Sequence, residues 1–189
     1  MSKRNLTACL ATLLVASAGC ASGGTKYHDR NMDFGSLRTV AVLPFANLTR
    51  DAAAGDRVRD VFSNMLLATE AIYVLPAGEV SRGLGRVGTA NPSAPNVEEV
   101  VKLGQLLKVE AIFTGVVREY GEVRSGSATG NIASLSVQLQ ETATGKVVWA
   151  GSTTMGGVGF GDRLIGSGGT PVNYVTEEAV NDLLNKLFR

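Results

Sequence analysis

Few side chains in this chain could do covalent, redox or metal chemistry. There is one histidine, His28, and there are two cysteines, Cys9 and Cys20. A Ser–His–Asp type triad needs its imidazole inside the fold, and His28 lies in a short polar N-terminal stretch. A structural zinc site needs several Cys or His ligands in one place, which this chain cannot supply. Gly83-Leu-Gly85-Arg-Val-Gly88 has the glycine spacing of a dinucleotide loop. Such a loop must sit directly between a strand and a helix, so that free amides meet the pyrophosphate. Here the preceding apolar run ends back at Leu75, and a proline-containing loop follows Gly88. Gly161-Asp-Arg-Leu-Ile-Gly166 has P-loop spacing, but Ser167-Gly168 stands where the phosphate-binding lysine is required. Glu98-Glu99 and Glu177-Glu178 are adjacent in sequence, so their side chains diverge and cannot face each other across a cleft as paired catalytic carboxylates do. They are read as helix-start acids favoured by the helix dipole. No catalytic residue, no metal site and no cofactor follow, and the chain reads as a non-enzyme.

The one position with a chemical assignment is Cys20. Met1 to Asn5 is charged, Leu6 to Ala16 is apolar, and Ser17-Ala18-Gly19 are small, which is the layout of an export signal. The apolar run is shorter than the roughly 20 residues a spanning helix needs. Ser17-Ala18-Gly19-Cys20 resembles the lipobox of bacterial lipoproteins, with Ser17 where leucine is usual. The resemblance implies cleavage before Cys20 and acylation of Cys20, giving a multi-chain anchor strong enough for stable attachment. An ordinary signal cut near Gly19, leaving a soluble secreted protein, is the alternative. Ala21 follows the cysteine where aspartate would retain a lipoprotein at the inner membrane, so the outer membrane is the expected address, with the domain on its periplasmic face.

Residues 1–19 are thus read as the signal, 20–36 as a lipidated tether and 37–189 as one periplasmic α/β domain. The chain carries 18 Lys+Arg and 17 Asp+Glu; losing Lys3 and Arg4 with the signal leaves 16 against 17. That near-neutral balance argues against a nucleic-acid partner, which calls for a basic excess. Loss of Cys9 and acylation of Cys20 leave no thiol in the fold, hence no disulfide. The tether, polar and Gly/Ser-containing from Ala21 to Arg30, is expected to be flexible, with a mean reach of about 25 Å.

Apolar periodicity places the elements. Thr39 to Leu43, closed by Pro44, reads as a buried strand. A helix over about Ala53–Thr69 buries Val58, Val61, Phe62, Met65 and Leu66. Ile72–Leu75 is a short strand, and Glu79–Arg86 a short helix. Asn96 is an N-cap with Glu99 at the capping-box position, opening a helix whose buried face carries Val97, Val100, Val101, Gly104 and Leu107. Gly104 marks close contact with the sheet. A strand over Ala111–Glu119, a turn over Arg124–Gly130, an alternating strand around Ala133–Gln140 and a strand from Val147 make a meander, with Trp149 read as core or edge packing and an exposed Trp149 as a partner hot spot. Gly156–Gly169 is expected to be a mobile glycine-rich segment, and a last helix starts at Thr176. The fold class is α/β (α+β): a mixed sheet with an antiparallel C-terminal meander and helices packed on it.

Leu37 to Thr49, Tyr73-Val-Leu-Pro76, Ala111-Ile-Phe-Thr-Gly115 and Glu141-Thr-Ala-Thr-Gly-Lys-Val-Val-Trp-Ala-Gly151 occur in an order that resembles envelope lipoproteins with a TolB amino-terminal-like domain. This is the CsgG–LpoB-like superfamily, and the nearest group in pattern is the small lipoproteins encoded beside CsgG-like proteins. The resemblance implies a non-enzymatic binding or assembly accessory of a cell-envelope or secretion complex. Its partners would be the outer membrane through Cys20 and envelope proteins, among them a CsgG-like channel, with a homo-oligomer as a further expectation. The alternatives are a subunit of a CsgG-like oligomeric channel, with Ile132–Thr142 and Val147–Met155 as its hairpin, and an activator of a peptidoglycan synthase. The expected partner-binding residues are Phe45, Asn47 and Arg50 in one loop and Phe160, Asp162 and Arg163 in the glycine-rich segment.

Overall fold

The computed structural model describes residues 24–126, 128–158 and 169–189. Seven strands form one mixed sheet: β1 (Lys26–His28), β2 (Thr39–Val42), β3 (Ala46–Asn47), β4 (Tyr73–Val74), β5 (Ala111–Ser125), β6 (Ala128–Glu141) and β7 (Val147–Gly156). Among the described residues the α-helices are α1 (Ala54–Ala68), α2 (Ala77–Val87), α3 (Val97–Leu107) and α4 (Val172–Phe188). The sheet order is β1-β7-β6-β5-β2-β4, with β3 continuing β2 along β5. β2, β3 and β4 make parallel pairings, and β5, β6, β7 and β1 an antiparallel run.

The helices follow from the apolar spacing. α1 buries Val58, Phe62 and Leu66 and, with α4, covers one face of the sheet. Trp149 lies fully buried in that layer, its indole N–H donating to the Lys186 carbonyl at 3.4 Å. α2 and α3 cover Ala41, Leu43 and Ile112 on the other face. The capping box forms in both directions: Asn96 Oδ1 accepts from the Glu99 amide at 2.9 Å, and Glu99 Oε2 accepts from the Asn96 amide at 2.8 Å. Gly104 meets the chain at the end of β6, where an added Cβ would lie 2.2 Å from Thr142 Cβ.

Several expectations are corrected. The stretch read as a flexible tether supplies β1, whose Lys26, Tyr27 and His28 pair with Gly151, Ala150 and Trp149; packing therefore begins well upstream of Leu37. His28 stacks on Phe34 at 4.2 Å. Residues 124–130 are not one broad turn: β5 runs to Ser125 and β6 starts at Ala128, so a long polar ribbon replaces it. Val97 is 58% exposed, because the first helical turn lies outside the sheet contact and Leu103 joins Val100 in the buried row. α4 begins at Val172, so Glu177 and Glu178 fall beyond its first turn. Thr176, the expected start, turns its hydroxyl back to the Val172 carbonyl at 2.7 Å, a bond available only inside a helix.

Lys186 ties α4 to the edge of the sheet. Its Nζ donates to Asp182 Oδ2 at 2.6 Å and to the Ser152 carbonyl at 3.0 Å. Burial pushes the Asp182 carboxyl up, but hydrogen bonds from Lys186 and Thr153 and the Lys186 charge outweigh it, leaving the group below its ordinary 3.8. A depressed folded pKa gives stability that is complete above the unfolded value and is lost as pH falls through the folded one. Urea titrations should therefore show the wild type losing more stability than Asp182→Asn on going from pH 5 to pH 3. Packing gives a second expectation. Gly104→Ala should destabilise by about 1–3 kcal/mol through overpacking against Thr142. Gly85→Ala, in α2 with nothing within 4 Å of the new methyl, should stabilise by roughly 0.5–1 kcal/mol. Thermal melts of the two variants check both signs.

Candidate functional site

The two segments expected to meet a partner can be placed in part. Phe160, Asp162, Arg163 and Cys20 lie outside the described residues. Phe45 is buried, with 7% exposure, its ring lying over Gly115 and against Phe62 at 5.8 Å. It is a core residue that seats the start of the loop. Asn47 is consumed by the loop itself: its Nδ2 donates to the Asp51 carbonyl at 2.7 Å, and its Oδ1 accepts from the Thr49 amide and hydroxyl at 2.9 and 2.8 Å. Asp51 then receives the Ala53 amide at 2.9 Å and pairs with Arg57 at 2.8 Å, which starts α1 without a capping side chain on Ala53. Only Arg50 of the three expected residues is exposed, beside Leu48 at 70% exposure.

The loop and the described ends of the glycine-rich segment share one end of the sheet. Asn47 is level with Val117, which pairs with Leu135, and Leu135 pairs with Thr153 three residues before Gly156. The β5–β6 ribbon stands between them, so they flank it and do not form one contiguous patch.

A cleft absent from the sequence reading lies beside this end. β2 leads into α1 on one face and β4 into α2 on the other. Adjacent parallel strands whose connections leave to opposite faces open a crevice at their carboxyl ends, the usual ligand position of α/β sheets. Here it measures about 610 Å³ and is lined by Val42, Asp56, Arg59, Asp60, Tyr73 and Pro76, among others. Arg59 spans it. Its Nε and Nη2 donate to the Val42 carbonyl at 3.1 and 2.9 Å. β4 is two residues long and is followed by Leu75-Pro76, so it stops before reaching Val42, and the guanidinium takes the ladder position that β4 leaves empty. Burial holds the Arg59 pKa below arginine's ordinary value, against the opposing pull of Asp56 and Asp60. Two of the five guanidinium N–H donors are thus spent on the backbone. The sequence reading set Asp56, Arg57, Arg59 and Asp60 off the buried face of α1. Finding the cleft needed the strand order, which local periodicity does not carry. Among the described residues no three His, Cys, Asp or Glu side chains cluster to hold a metal ion.

No family model matches the chain, and no curated protein matches it. Solved structures do. The PelC dodecamer from Paraburkholderia phytofirmans superposes with a TM-score of 0.58 at 14% identity, over 86% of this chain and 96% of that one. Lipoprotein GNA1162 from Neisseria meningitidis gives 0.56 at 20% identity, over 80% and 98%. The hypothetical protein CT253 from Chlamydia trachomatis gives 0.52 at 14%, over 80% and 96%. At these identities the likeness establishes a common fold, spanning nearly the whole of each neighbour. The mixed sheet with its antiparallel meander is thus the expected α+β architecture.

The Arg59 clamp generates a stability difference. Arg59→Met should cost about 1.5–3 kcal/mol, since it strips a buried carbonyl of a charged donor. Arg57→Ala, which removes only an exposed ion pair, should cost under about 1 kcal/mol. Urea midpoints at constant slope check the pair.

Proposed function

We propose that this chain is an outer-membrane lipoprotein, acylated at Cys20, whose periplasmic domain acts as a non-enzymatic binding and assembly accessory of a cell-envelope or secretion complex. The observation that carries the reading is the coincidence of two features. An export signal ends in Ser17-Ala18-Gly19-Cys20, and the domain behind it has the fold of a neisserial lipoprotein and of PelC. In this reading residues 1–19 are the signal and Cys20 the anchor, and the periplasmic domain, expected from 37, takes in β1 from Lys26 as well. The mechanism is positioning: the lipid holds the domain at the membrane, and exposed loop residues meet the partner.

Two structural facts bear on the alternatives. The hairpin Ile132–Thr142 and Val147–Met155 would have to leave the sheet to line a channel. β6 lies between β5 and β7, and Leu135, Val137, Leu139 and Trp149 fill the main core. Releasing them would expose that core, which disfavours the channel reading. A synthase activator reaching across the peptidoglycan needs a long tether. Only Ala21–Gly23 lie between Cys20 and Gly24, which packs against the Ser152 carbonyl; that disfavours the activator. The dodecameric state of PelC favours a homo-oligomer as the second reading.

Native mass spectrometry of the detergent-extracted protein, together with crosslinking in cells, tests the proposal. The expected result is a chain beginning at a lipid-modified Cys20, as a monomer or small oligomer, with an envelope protein crosslinked at Arg50 or Leu48. A closed ring of many subunits would move the conclusion to an assembly of this chain with itself. An unmodified Cys20 would overturn the lipoprotein.

A further inference from the structure

We infer that the end of the domain bearing the β5–β6 tip faces the membrane, with Tyr174 and the tip residues Glu122–Gly126 in the lipid headgroup layer. The inference rests on the acylation of Cys20 proposed above.

The direction of β1 is one argument. β1 runs antiparallel to β7, with Lys26 opposite Gly151 and His28 opposite Trp149. Followed back from His28, the chain therefore travels toward the end where β7 finishes at Gly156 and α4 begins at Val172. Thr25 is still fastened there: its carbonyl accepts from the Ser152 amide at 3.0 Å, and its amide donates to Ser152 Oγ at 3.2 Å. The anchor leaves the fold at this end of the sheet.

Chain length limits how far from the fold the anchor can lie. Four Cα steps separate Gly24 from Cys20, so the lipidated residue lies within about 14 Å of Gly24. Gly24 is level with Ser152 and Thr153, and Thr153 pairs with Leu135. β6 starts at Ala128, seven residues nearer the tip, or about 23 Å along the strand. The right-handed twist between neighbouring strands shortens the projection of that overhang by roughly a third. The tip still stands at least level with the farthest point the anchor can reach. A lipid at Cys20 cannot hold the ribbon clear of the bilayer while the sheet stands on that end.

Surface chemistry points the same way. Tyr174, 56% exposed, occupies the first turn of α4 at the same end. Arg124 is exposed on the tip, its Nε paired with Glu122 at 3.1 Å. An amphipathic tyrosine and an arginine able to fork onto phosphates suit the headgroup layer. Glu119 and Glu122 on the same ribbon oppose entry into hydrocarbon, where carboxylates are costly. The contact is therefore at the surface of the bilayer and does not cross it.

The mature protein has no free thiol once Cys20 is acylated, so single cysteines can carry a fluorophore. Labels would be placed at Tyr174→Cys and Arg124→Cys, and at Thr144→Cys and Leu67→Cys at the opposite end. The acylated variants would be reconstituted in phosphatidylethanolamine–phosphatidylglycerol vesicles containing a headgroup-region nitroxide lipid. All four positions are exposed, so folding is preserved, and circular dichroism verifies it. The labels at 174 and 124 should be quenched several-fold more than those at 144 and 67. Equal or reversed quenching in protein that carries the lipid and floats with the vesicles would overturn the orientation and leave the lipoprotein reading standing. Quenching of the Arg124→Cys label by a bilayer-centre nitroxide in preference to the headgroup one would overturn surface contact. Protein that carries no lipid and fails to float would overturn both.

Discussion

Strand β5 takes parallel partners on one edge and an antiparallel partner on the other, and its first five residues, Ala111–Gly115, are all buried. That double allegiance sets the terms for the rest of the chain. A parallel neighbour needs a crossover connection, which is why α1, α2 and α3 lie between β2 and β5 in sequence. An antiparallel neighbour needs only a tight turn, which is why β6 and β7 follow without interruption. The side chains of β5 then divide the interior. Ala111, Phe113 and Val117 face α1 and α4, and Ile112 faces α2 and α3. Gly115 leaves room for the Phe45 ring, because an added Cβ would come within 2.7 Å of it. β3 can therefore lie against the upper part of β5 and bring the Leu48–Arg50 loop to the sheet's end.

Much of this architecture could be read from the residues. The order of the main strands and helices, the α1 stripe, the Asn96–Glu99 capping box, the close approach at Gly104 and the burial of Trp149 follow from local pattern. They are the features in which propensity, patterning and packing agree. The parts missed share one property: tertiary pairing decides them. β1 is a polar Lys-Tyr-His triplet and β3 an Ala-Asn pair, and neither has a periodicity of its own. They are strands because β7 and β5 offer them hydrogen-bond partners. The end of β5, Tyr120–Ser125, is mostly polar and half-exposed, so the sequence reading ends the strand at Glu119 and puts a turn over Arg124–Gly130.

The site was less legible than the fold for the same reason. Of the expected partner residues in the loop, Phe45 proved to be core and Asn47 an internal brace, because a loop this short spends its polar groups on its own backbone. The crevice between β2 and β4 depends on strand order and on which face each crossover takes, and a linear pattern contains neither. Arg59 could be seen as a polar residue on the outer side of α1. That it completes a truncated ladder could not.

β1 also has a mechanical meaning. A pull on the chain upstream of Gly24, along the direction in which β1 leaves the fold, acts parallel to the strand and across its hydrogen bonds to β7. Such a load is shared by all the bonds of the pair at once, whereas peeling from the side would break them one at a time. The segment that joins the domain to whatever lies upstream is thus held in shear, with Lys186 gripping the Ser152 carbonyl behind it. Tension delivered at the N-terminus would reach the central sheet before any helix was disturbed.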